Sequence, residues 1–253
     1  MNKGQKIIGA LILIGVVGAV IGYLPMNKNQ QRKVQQPVKQ SKLGQAGHQL
    51  PKGAEASDWQ LLLVNKQHMH KKEINFKKVT VDTKQLDQRI ERPLADFRAG
   101  AKKAGYATTL VSGYRSIAYQ TQIYDQSISQ HEADGLGQSE ATKLTQSVIQ
   151  TPGSSEHQTG LAVDLAGNDA VAKYPELMAQ MDEFKSQQWL IQHAPDYGFV
   201  LRYMRDQKSV SQTGIDYESW HFRYVGIENA KYMTKHHLTL EAYVDELKKS
   251  GKI

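Results

Sequence analysis

The sequence predicts an α+β domain with a small, mostly antiparallel sheet flanked by helices. Segments with helical and strand-like patterns alternate irregularly, without an internal repeat or a regular βαβ rhythm, which disfavours a parallel sheet. An apolar stretch and then a polar stretch precede this domain. We divide the chain into a short N-terminus (residues 1–6), a transmembrane segment (7–24), a flexible basic linker (25–57) and one folded domain (58–253).

The apolar stretch from Ile7 to Leu24 carries no charged residue. As an α-helix with a rise of about 1.5 Å per residue it would be roughly 27 Å long, which is enough to cross a thin bilayer. A cleaved signal peptide also fits a basic start followed by an apolar run. No small-x-small cleavage site follows Leu24, so the sequence favours an uncleaved signal anchor.

Two opposing signals bear on the orientation of this anchor. More lysines and arginines follow the apolar stretch than precede it, which by the positive-inside rule favours an extracellular N-terminus. A short basic leader before a first span favours the opposite orientation, and the later charges are spread along a polar segment. We expect a cytoplasmic N-terminus and a single-pass protein of the cell membrane whose folded domain is extracellular.

The linker is rich in Gln and Lys and poor in large apolar residues, so it cannot bury enough surface to fold. The whole chain has 32 Lys and Arg against 25 Asp and Glu, a net charge of +7 that favours anionic partners. In the linker this charge could serve contact with anionic lipid or with an anionic wall polymer. It could also belong to a merely soluble tether. Nucleic acid is not an expected partner, because a secretory-type span precedes the domain.

The first half of the domain predicts a long helix, a strand and two further helices. Asp82 and Thr83 are the predicted N-cap of the long helix, whose apolar residues recur at spacings of three and four from Leu86 to Ala101. Pro93 lies within this pattern and is expected to bend the helix. The other predicted elements are a strand over 107–112, helices from 117 onwards and over 139–149, and a surface loop over 130–138.

The second half of the domain contains a strand that is central to the functional prediction. Leu161, Val163 and Leu165 alternate with smaller residues and form the predicted core face of this strand. The opposite face is small except for the carboxylate of Asp164. The remaining predicted elements are a helix over 176–193, strands over 199–203 and 221–225, and a C-terminal helix capped by Thr239.

Two short motifs supply candidate metal ligands. The chain contains no cysteine, so a transition-metal site must use histidines and carboxylates. His157 and Asp164 lie in one motif, and His221 lies in the other, three residues after Glu218. A catalytic zinc site uses three protein ligands and keeps one position open, and Glu218 could then accept a proton from the attacking water. Spacing alone leaves it open that each histidine is a packed or surface residue.

The chain resembles the zinc D-Ala-D-Ala metallopeptidases in the pattern Ser155-x-His157-x-x-Gly160-x-Ala162-x-Asp164, followed by Glu218-x-Trp220-His221. This group includes the VanY-type carboxypeptidases and shares a core with the hedgehog signalling domain and the lysostaphin-like endopeptidases. The segment Ser112-Gly113-Tyr114-Arg115-Ser116, with Gln120 five residues after the arginine, is also similar to the VanY-type pattern. The similarity covers about residues 58–247, nearly the whole of the predicted folded part.

The resemblance implies a role for each matching residue. The implied Zn²⁺ ligands are His157, Asp164 and His221, and the implied catalytic base is Glu218. Arg115 matches the residue that polarises the scissile carbonyl and stabilises its oxyanion. The candidate substrate contacts are Ser155, Gln120 and Tyr203.

The residues by themselves leave plainer interpretations open for these accessory positions. Arg115 could be a structural ion-pair partner, Ser155 could cap the turn before His157, and Gln120 could be a solvated helix residue. Tyr203 could line the cleft or only fill the sheet. These alternatives concern only the accessory roles and leave the predicted zinc ligands unchanged.

The implied function is that of a zinc-dependent D,D-carboxypeptidase, which removes the C-terminal D-alanine from peptidoglycan stem peptides or their precursors. An L,D-carboxypeptidase acting on tetrapeptide stems needs the same zinc chemistry, and the sequence does not separate the two. A non-catalytic, metal-stabilised wall-binding or signalling domain is a third interpretation. It predicts a missing base or arginine, whereas Glu218 and Arg115 are both present.

Overall fold

The computed structural model describes residues 49–253. The predicted N-terminus, transmembrane segment and most of the predicted linker therefore lie outside the described residues. Within the part of the chain that the structure describes, no helix is both long enough and apolar enough to cross a membrane.

The folded domain begins before residue 58, where the sequence placed the end of the linker. Ala54 is buried in an apolar cluster together with Leu61 and Val244. The backbone N–H of Ala56 donates to the carbonyl oxygen of Lys252 at 3.0 Å. The prediction that the flexible linker extends to residue 57 is wrong for residues 49–57, because they pack against the end of the chain.

The described residues form six strands and eight α-helices. The strands are β1 Lys78–Val81, β2 Lys84–Asp87, β3 Thr108–Ser112, β4 Ala162–Gly167, β5 Phe199–Leu201 and β6 His221–Tyr224. The helices are α1 Glu91–Lys103, α2 Ile117–Ala133, α3 Gln138–Val148, α4 Asn168–Lys173, α5 Lys185–His193, α6 Gln207–Thr213, α7 Ile227–Lys235 and α8 Leu240–Lys249.

The main sheet has the strand order β3-β4-β6-β5, and every pair of neighbours is antiparallel. Strands β1 and β2 form a separate antiparallel hairpin. This architecture confirms the predicted α+β class with small antiparallel sheets. Asp164 on β4 lies directly opposite His221 on β6, and on its other side it pairs with Ser112 of β3. The register of the sheet thus places two predicted metal ligands side by side.

The first predicted helix begins later than its apolar pattern suggested. Asp82 and Thr83 do not cap a helix but form the turn between β1 and β2, with φ angles of 45° and 70°. Helix α1 begins at Glu91. Pro93 therefore lies in the first turn of the helix. Backbone N–H groups in the first turn make no intrahelical hydrogen bond, so a proline there breaks none and gives no reason for the predicted bend.

Two other predicted segments differ from the structure in their boundaries. Helix α2 continues to Ala133 and takes up part of the predicted surface loop over 130–138. The predicted helix over 176–193 is divided into the 3-10 helix Ala179–Glu183 and α5, because Phe184 between them is extended, with ψ of 136°. At the C-terminus the side chain of Thr239 accepts the N–H of Ala242, as the predicted cap requires.

An aromatic cluster fills the core between α1 and the main sheet. The ring centroid of Phe97 lies 5.3 Å from Tyr197, 5.5 Å from Phe199 and 5.6 Å from Phe222. Leu161, Val163 and Leu165, the predicted core face of the second-half strand, belong to the same cluster. This core supports β4 and β6 from one face and leaves their other face for the polar site.

Replacing Phe97 with alanine is expected to lower the free energy of unfolding by about 3–5 kcal/mol, because the ring is completely buried and its removal leaves a cavity. Chemical denaturation measures this change. Tyr119→Ala is the control, since the Tyr119 side chain is 47% exposed and should cost less than about 1 kcal/mol. Equal losses for the two variants would contradict the assignment of Phe97 to the core.

Candidate metal centre

The site is built on a short turn and two neighbouring strands. His157 lies in the 3-10 helix Glu156–Thr159, Asp164 lies on β4, and His221 is the first residue of β6. Gly160 ends the 3-10 helix with a φ of 67°, and a Cβ atom there would come within 2.7 Å of the backbone nitrogen of Asp87. The glycine therefore allows the chain to turn tightly from His157 into the strand that carries Asp164.

The three predicted metal ligands are buried and face one another. Their candidate ligand atoms all lie within 4.8 Å of each other. His157 Nε2 is 3.4 Å from Asp164 Oδ2, and His221 Nδ1 is 3.5 Å from Asp164 Oδ1. Ligand atoms bound tetrahedrally at about 2.0–2.2 Å from zinc lie roughly 3.3–3.6 Å from each other. The two histidine–aspartate distances, each to a different oxygen of Asp164, therefore fall in the range expected around a zinc ion.

The protonation state of His157 suits a metal ligand. Its Nδ1 lies 2.7 Å from the carbonyl oxygen of Gly113, which only accepts, so Nδ1 carries the hydrogen. Burial, and then the charge of Arg115, lower the pKa of His157 to about 4. At neutral pH its Nε2 therefore presents a lone pair to the Asp164 carboxylate. A neutral imidazole with a free ring nitrogen is the form in which histidine binds a metal ion.

His221 faces the site with Nδ1, whereas His157 faces it with Nε2. Its Nδ1 lies 3.2 Å from Glu218 Oε2 on the side of Asp164, whereas its Nε2 points to Glu156 Oε2 at 3.6 Å. Burial opposes a charge on this ring, but the neighbouring carboxylates of Glu156 and Glu218 outweigh burial and raise the pKa of His221 to about 9. Without a metal, His221 is therefore protonated at neutral pH, and a binding metal ion has to displace that proton.

Zinc binding is expected to strengthen as the pH rises. The apparent association constant should increase about tenfold per pH unit towards the His221 pKa of about 9 and level off above it, because one proton must leave His221. His157, with a pKa of about 4, is already neutral over this range. Competition with a chelator of known zinc affinity, corrected for the protonation of the chelator, measures this dependence. A constant affinity from pH 7 to pH 9 would contradict it.

Glu218, the predicted base, lies immediately before β6 and beside the ligand set. Burial raises the pKa of its carboxyl group, an effect that the hydrogen bond with His221 only partly offsets. The adjoining backbone is fixed, because the N–H of Glu218 donates to the carbonyl of Tyr203 at 3.3 Å and the Ser219 carbonyl accepts from Gln187 Nε2 at 2.7 Å. Glu218 is thus a carboxyl group with raised proton affinity, held next to the ligand set.

Arg115 lies at the edge of the same group. Its Nη2 donates to Asp164 Oδ2 at 2.7 Å, and its Nε donates to Ser112 Oγ at 3.0 Å. The ion pair that the plainer interpretation of Arg115 expected is therefore present. The side chain is 19% exposed, so it is not completely enclosed by the protein.

The three predicted substrate contacts are all buried. Ser155 occupies the N-cap position before His157, but its side chain makes no capping hydrogen bond. Gln120 is not a solvated helix residue, because only 1% of it is exposed and its Nε2 donates to the Gln150 carbonyl at 2.8 Å. Tyr203 packs edge-on against His221, with ring centroids 4.7 Å apart. Their contact with a substrate stays a prediction.

A buried ionic cluster behind His221 was missed by the sequence prediction. Glu156 Oε1 accepts hydrogen bonds from Arg202 Nε and Arg223 Nη1, each at 2.8 Å. Arg202 also donates to Glu241 Oε1 at 2.6 Å. Despite burial, the two arginines hold the pKa of Glu156 well below its usual range. The one available signal was the alternation of β6, which places Arg223 on the same face as His221.

Comparison with known proteins relates the chain to one family. A family model described as VanY, D-alanyl-D-alanine carboxypeptidase, matches residues 83–227. A D-alanyl-D-alanine carboxypeptidase of Enterococcus faecalis (strain ATCC 700802 / V583) is 31% identical over 189 residues, which are 74% of this chain and 66% of that protein. A Bacillus subtilis relative is matched over 50% of its length. The chain thus spans about half to two thirds of the curated relatives that it matches.

Solved structures share the fold and about a third of the aligned sequence. The vancomycin-resistance D,D-pentapeptidase VanY, a mutant form in complex with Zn(II), is 30% identical and aligns with a TM-score of 0.65 over 74% of this chain and 99% of its own. VanYB in complex with D-alanine-D-alanine has the same identity and TM-score and is covered over 98% of its length. The LD-carboxypeptidase LdcB is 30% identical, with a TM-score of 0.58 over 73% of this chain and 85% of its own.

Proposed function

The chain belongs to the VanY family of D-alanyl-D-alanine carboxypeptidases, and we propose that it is a zinc-dependent D,D-carboxypeptidase that removes the C-terminal D-alanine from peptidoglycan stem peptides or their precursors. One observation carries the proposal: the buried set of His157, Asp164 and His221 has the spacing of zinc ligands. The cofactor is Zn²⁺, which fits this set and is present in the similar VanY structure.

Each residue of the site has a defined task in this proposal. His157 Nε2, Asp164 and His221 Nδ1 would hold the ion, which when bound acts as a Lewis acid on water and on the substrate carbonyl. Glu218 accepts a proton from the attacking water and returns it to the departing amine, which its raised pKa favours. Arg115, held by Asp164 and Ser112, donates to the oxygen of the scissile carbonyl as negative charge develops on it.

A part in substrate binding is proposed for Ser155, Gln120 and Tyr203. A carboxypeptidase must bind a free terminal carboxylate, and Ser155 fits that task because its hydroxyl group makes no capping bond. Tyr203 lies against His221 and would border the bound peptide. Gln120 would act through Gln150, whose carbonyl it holds five residues before Ser155.

L,D-cleavage of tetrapeptide stems is the second candidate function. It is supported by the similarity to the LD-carboxypeptidase LdcB, which is as identical to this chain as the VanY structures are. The D,D-specific alternative is favoured because the family model and the structures with the higher TM-score are those of D-Ala-D-Ala enzymes. Both functions use the same ligand set and the same base, so they differ in the fit of the substrate.

A parallel digest tests the proposal. The full chain, in mild detergent with added Zn²⁺, is incubated with a pentapeptide stem and with a tetrapeptide stem, and the products are identified by mass spectrometry. D,D-activity predicts loss of D-alanine from the pentapeptide only, and the chelator-treated protein is the blank. Exclusive loss from the tetrapeptide would support L,D-activity. Binding of zinc and muropeptide without hydrolysis would support the non-catalytic wall-binding or signalling alternative.

Membrane attachment is a separate proposal. The apolar stretch over 7–24 would anchor the protein in the cell membrane with the catalytic domain outside, and the basic linker would contact anionic lipid or wall polymer. Nucleic acid is not a proposed partner. Membrane fractionation of cells that express the whole chain, followed by protease treatment of intact protoplasts, tests this placement. Recovery of the chain in the medium would support the alternative of a cleaved signal peptide.

A further inference from the structure

We propose that Glu156 is a positioning residue, which accepts the hydrogen of His221 Nε2 and so directs His221 Nδ1 to the metal. This inference rests on the proposed zinc site and assigns a role to a residue that touches neither the metal position nor a peptide substrate. Metal-bound histidines commonly donate their second ring N–H to a carboxylate or a carbonyl oxygen, which fixes the tautomer and the orientation of the ring.

The contacts of His221 define the orientation of its ring. Nδ1 lies 3.5 Å from Asp164 and 3.2 Å from Glu218, on the side where the ligands converge. Nε2 lies 3.6 Å from Glu156 Oε2 on the opposite side. Neither of these two facing atoms has a hydrogen-bond partner elsewhere among residues 49–253. A closure of about half an ångström would bring this pair into the usual hydrogen-bond range.

The surroundings of Glu156 leave one oxygen atom for this task. Glu156 is completely buried, and its Oε1 already accepts from both Arg202 and Arg223. Arg223 is fixed in turn, because its Nη2 donates to the carbonyl oxygens of Leu62 at 2.8 Å and Gln60 at 3.1 Å. The two cations make a buried carboxylate tolerable at this place. Oε2 remains directed at the imidazole of His221.

The two histidine ligands are therefore oriented by different groups. His157 is held by a backbone carbonyl, that of Gly113, which no substitution removes. His221 faces a side-chain carboxylate, so its orientation can be altered by a single change. The ionic cluster that contains Glu156 then has a function besides stability: it holds one carboxylate oxygen rigidly behind a metal ligand.

Glu156→Gln tests the inference through zinc affinity, which does not depend on turnover. We expect the zinc dissociation constant to rise by about 10- to 100-fold, measured by chelator competition on protein shown to be folded by circular dichroism. Glu241→Gln is the matched control, because Glu241 also accepts from Arg202 but belongs to α8 and is bonded to Arg202 and Asn65. It should lower the melting temperature and leave zinc affinity within about twofold. Equal weakening in both variants, or unchanged affinity in Glu156→Gln, would overturn the inference.

A measurement on the wild-type protein covers the case in which Glu156→Gln does not fold. Long-range ¹H–¹⁵N correlation spectra of the zinc-loaded, ¹⁵N-labelled full chain report which ring nitrogen of each histidine carries hydrogen. We expect hydrogen on Nε2 of His221, and hydrogen on its Nδ1 would overturn the inference. Zinc binding without hydrolysis by the wild type would contradict the proposed activity alone. Absence of zinc binding would contradict both proposals.

Discussion

Replacing Glu218 with glutamine is expected to reduce kcat by about 10²- to 10⁴-fold, because the amide keeps the shape of the side chain but cannot take a proton from water. Its Oε2 lies 3.2 Å from His221 Nδ1, beside the ligand set. Zinc affinity should stay the same or rise slightly, since Glu218 is one of the groups that raise the pKa of His221 and so favour the competing proton. The assay is the release of D-alanine from a pentapeptide stem at saturating zinc.

The matched control is Glu132→Gln, which makes the same chemical change at an exposed position of α2. It should retain the wild-type kcat and zinc affinity. Turnover by Glu218→Gln equal to that of the control would refute the proposed base. A parallel loss of zinc from Glu218→Gln would instead show that the glutamate supports the ligand set.

The clustering of His157, Asp164 and His221 could be predicted from the sequence because the three residues lie in short motifs of metal-binding residue types. His157 and Asp164 are seven residues apart, and the strand alternation around Asp164 already separated it from the core face. The meeting of Asp164 with His221 is a matter of strand register between β4 and β6. That register depends on the pairing of distant segments, which periodicity does not reveal. The resemblance to a known family, by contrast, implied that His221 joins Asp164 in one ligand set.

The buried ionic cluster could not be predicted, because its charges cancel only in the folded protein. Glu156 meets Arg202 across 46 residues of sequence and Arg223 across 67. Read singly, each of these residues belongs on the surface, where most charged side chains lie. Only the tertiary contacts make their burial tolerable, and the alternation of β6 places Arg223 on the face of His221 without showing which charges it meets there.

The start of α1 was predicted too early, because a strand followed by a 3-10 helix can bury apolar residues at the same spacing as an α-helix. Leu86 and Ile90 are four residues apart and completely buried, as in a helix, yet they lie in β2 and in the 3-10 helix Gln88–Ile90. Asp82 and Thr83 are residue types that favour both helix caps and turns. In the hairpin both residues adopt positive φ angles, as the two central residues of a type I′ turn do.

Arg115→Lys is expected to lower kcat at saturating zinc by about 10²- to 10³-fold, the usual cost of losing a donor to a developing oxyanion. Lysine keeps the positive charge but lacks the planar group that lets Arg115 bind Asp164 and Ser112 at once and still face the substrate. Zinc affinity should change by no more than a few-fold, because the charge beside Asp164 is retained.

This result separates the two interpretations of Arg115. If the arginine only orients Asp164, the variant should lose zinc affinity and recover its activity when more zinc is added. If it stabilises the oxyanion, activity stays low at every zinc concentration. Arg98→Lys is the control, since Arg98 pairs with Asp82 at 2.6 Å beside the β1–β2 turn and takes no part in the site. A zinc-dependent recovery in Arg115→Lys would assign this residue to positioning, and catalysis would then rest on the ligand set and Glu218.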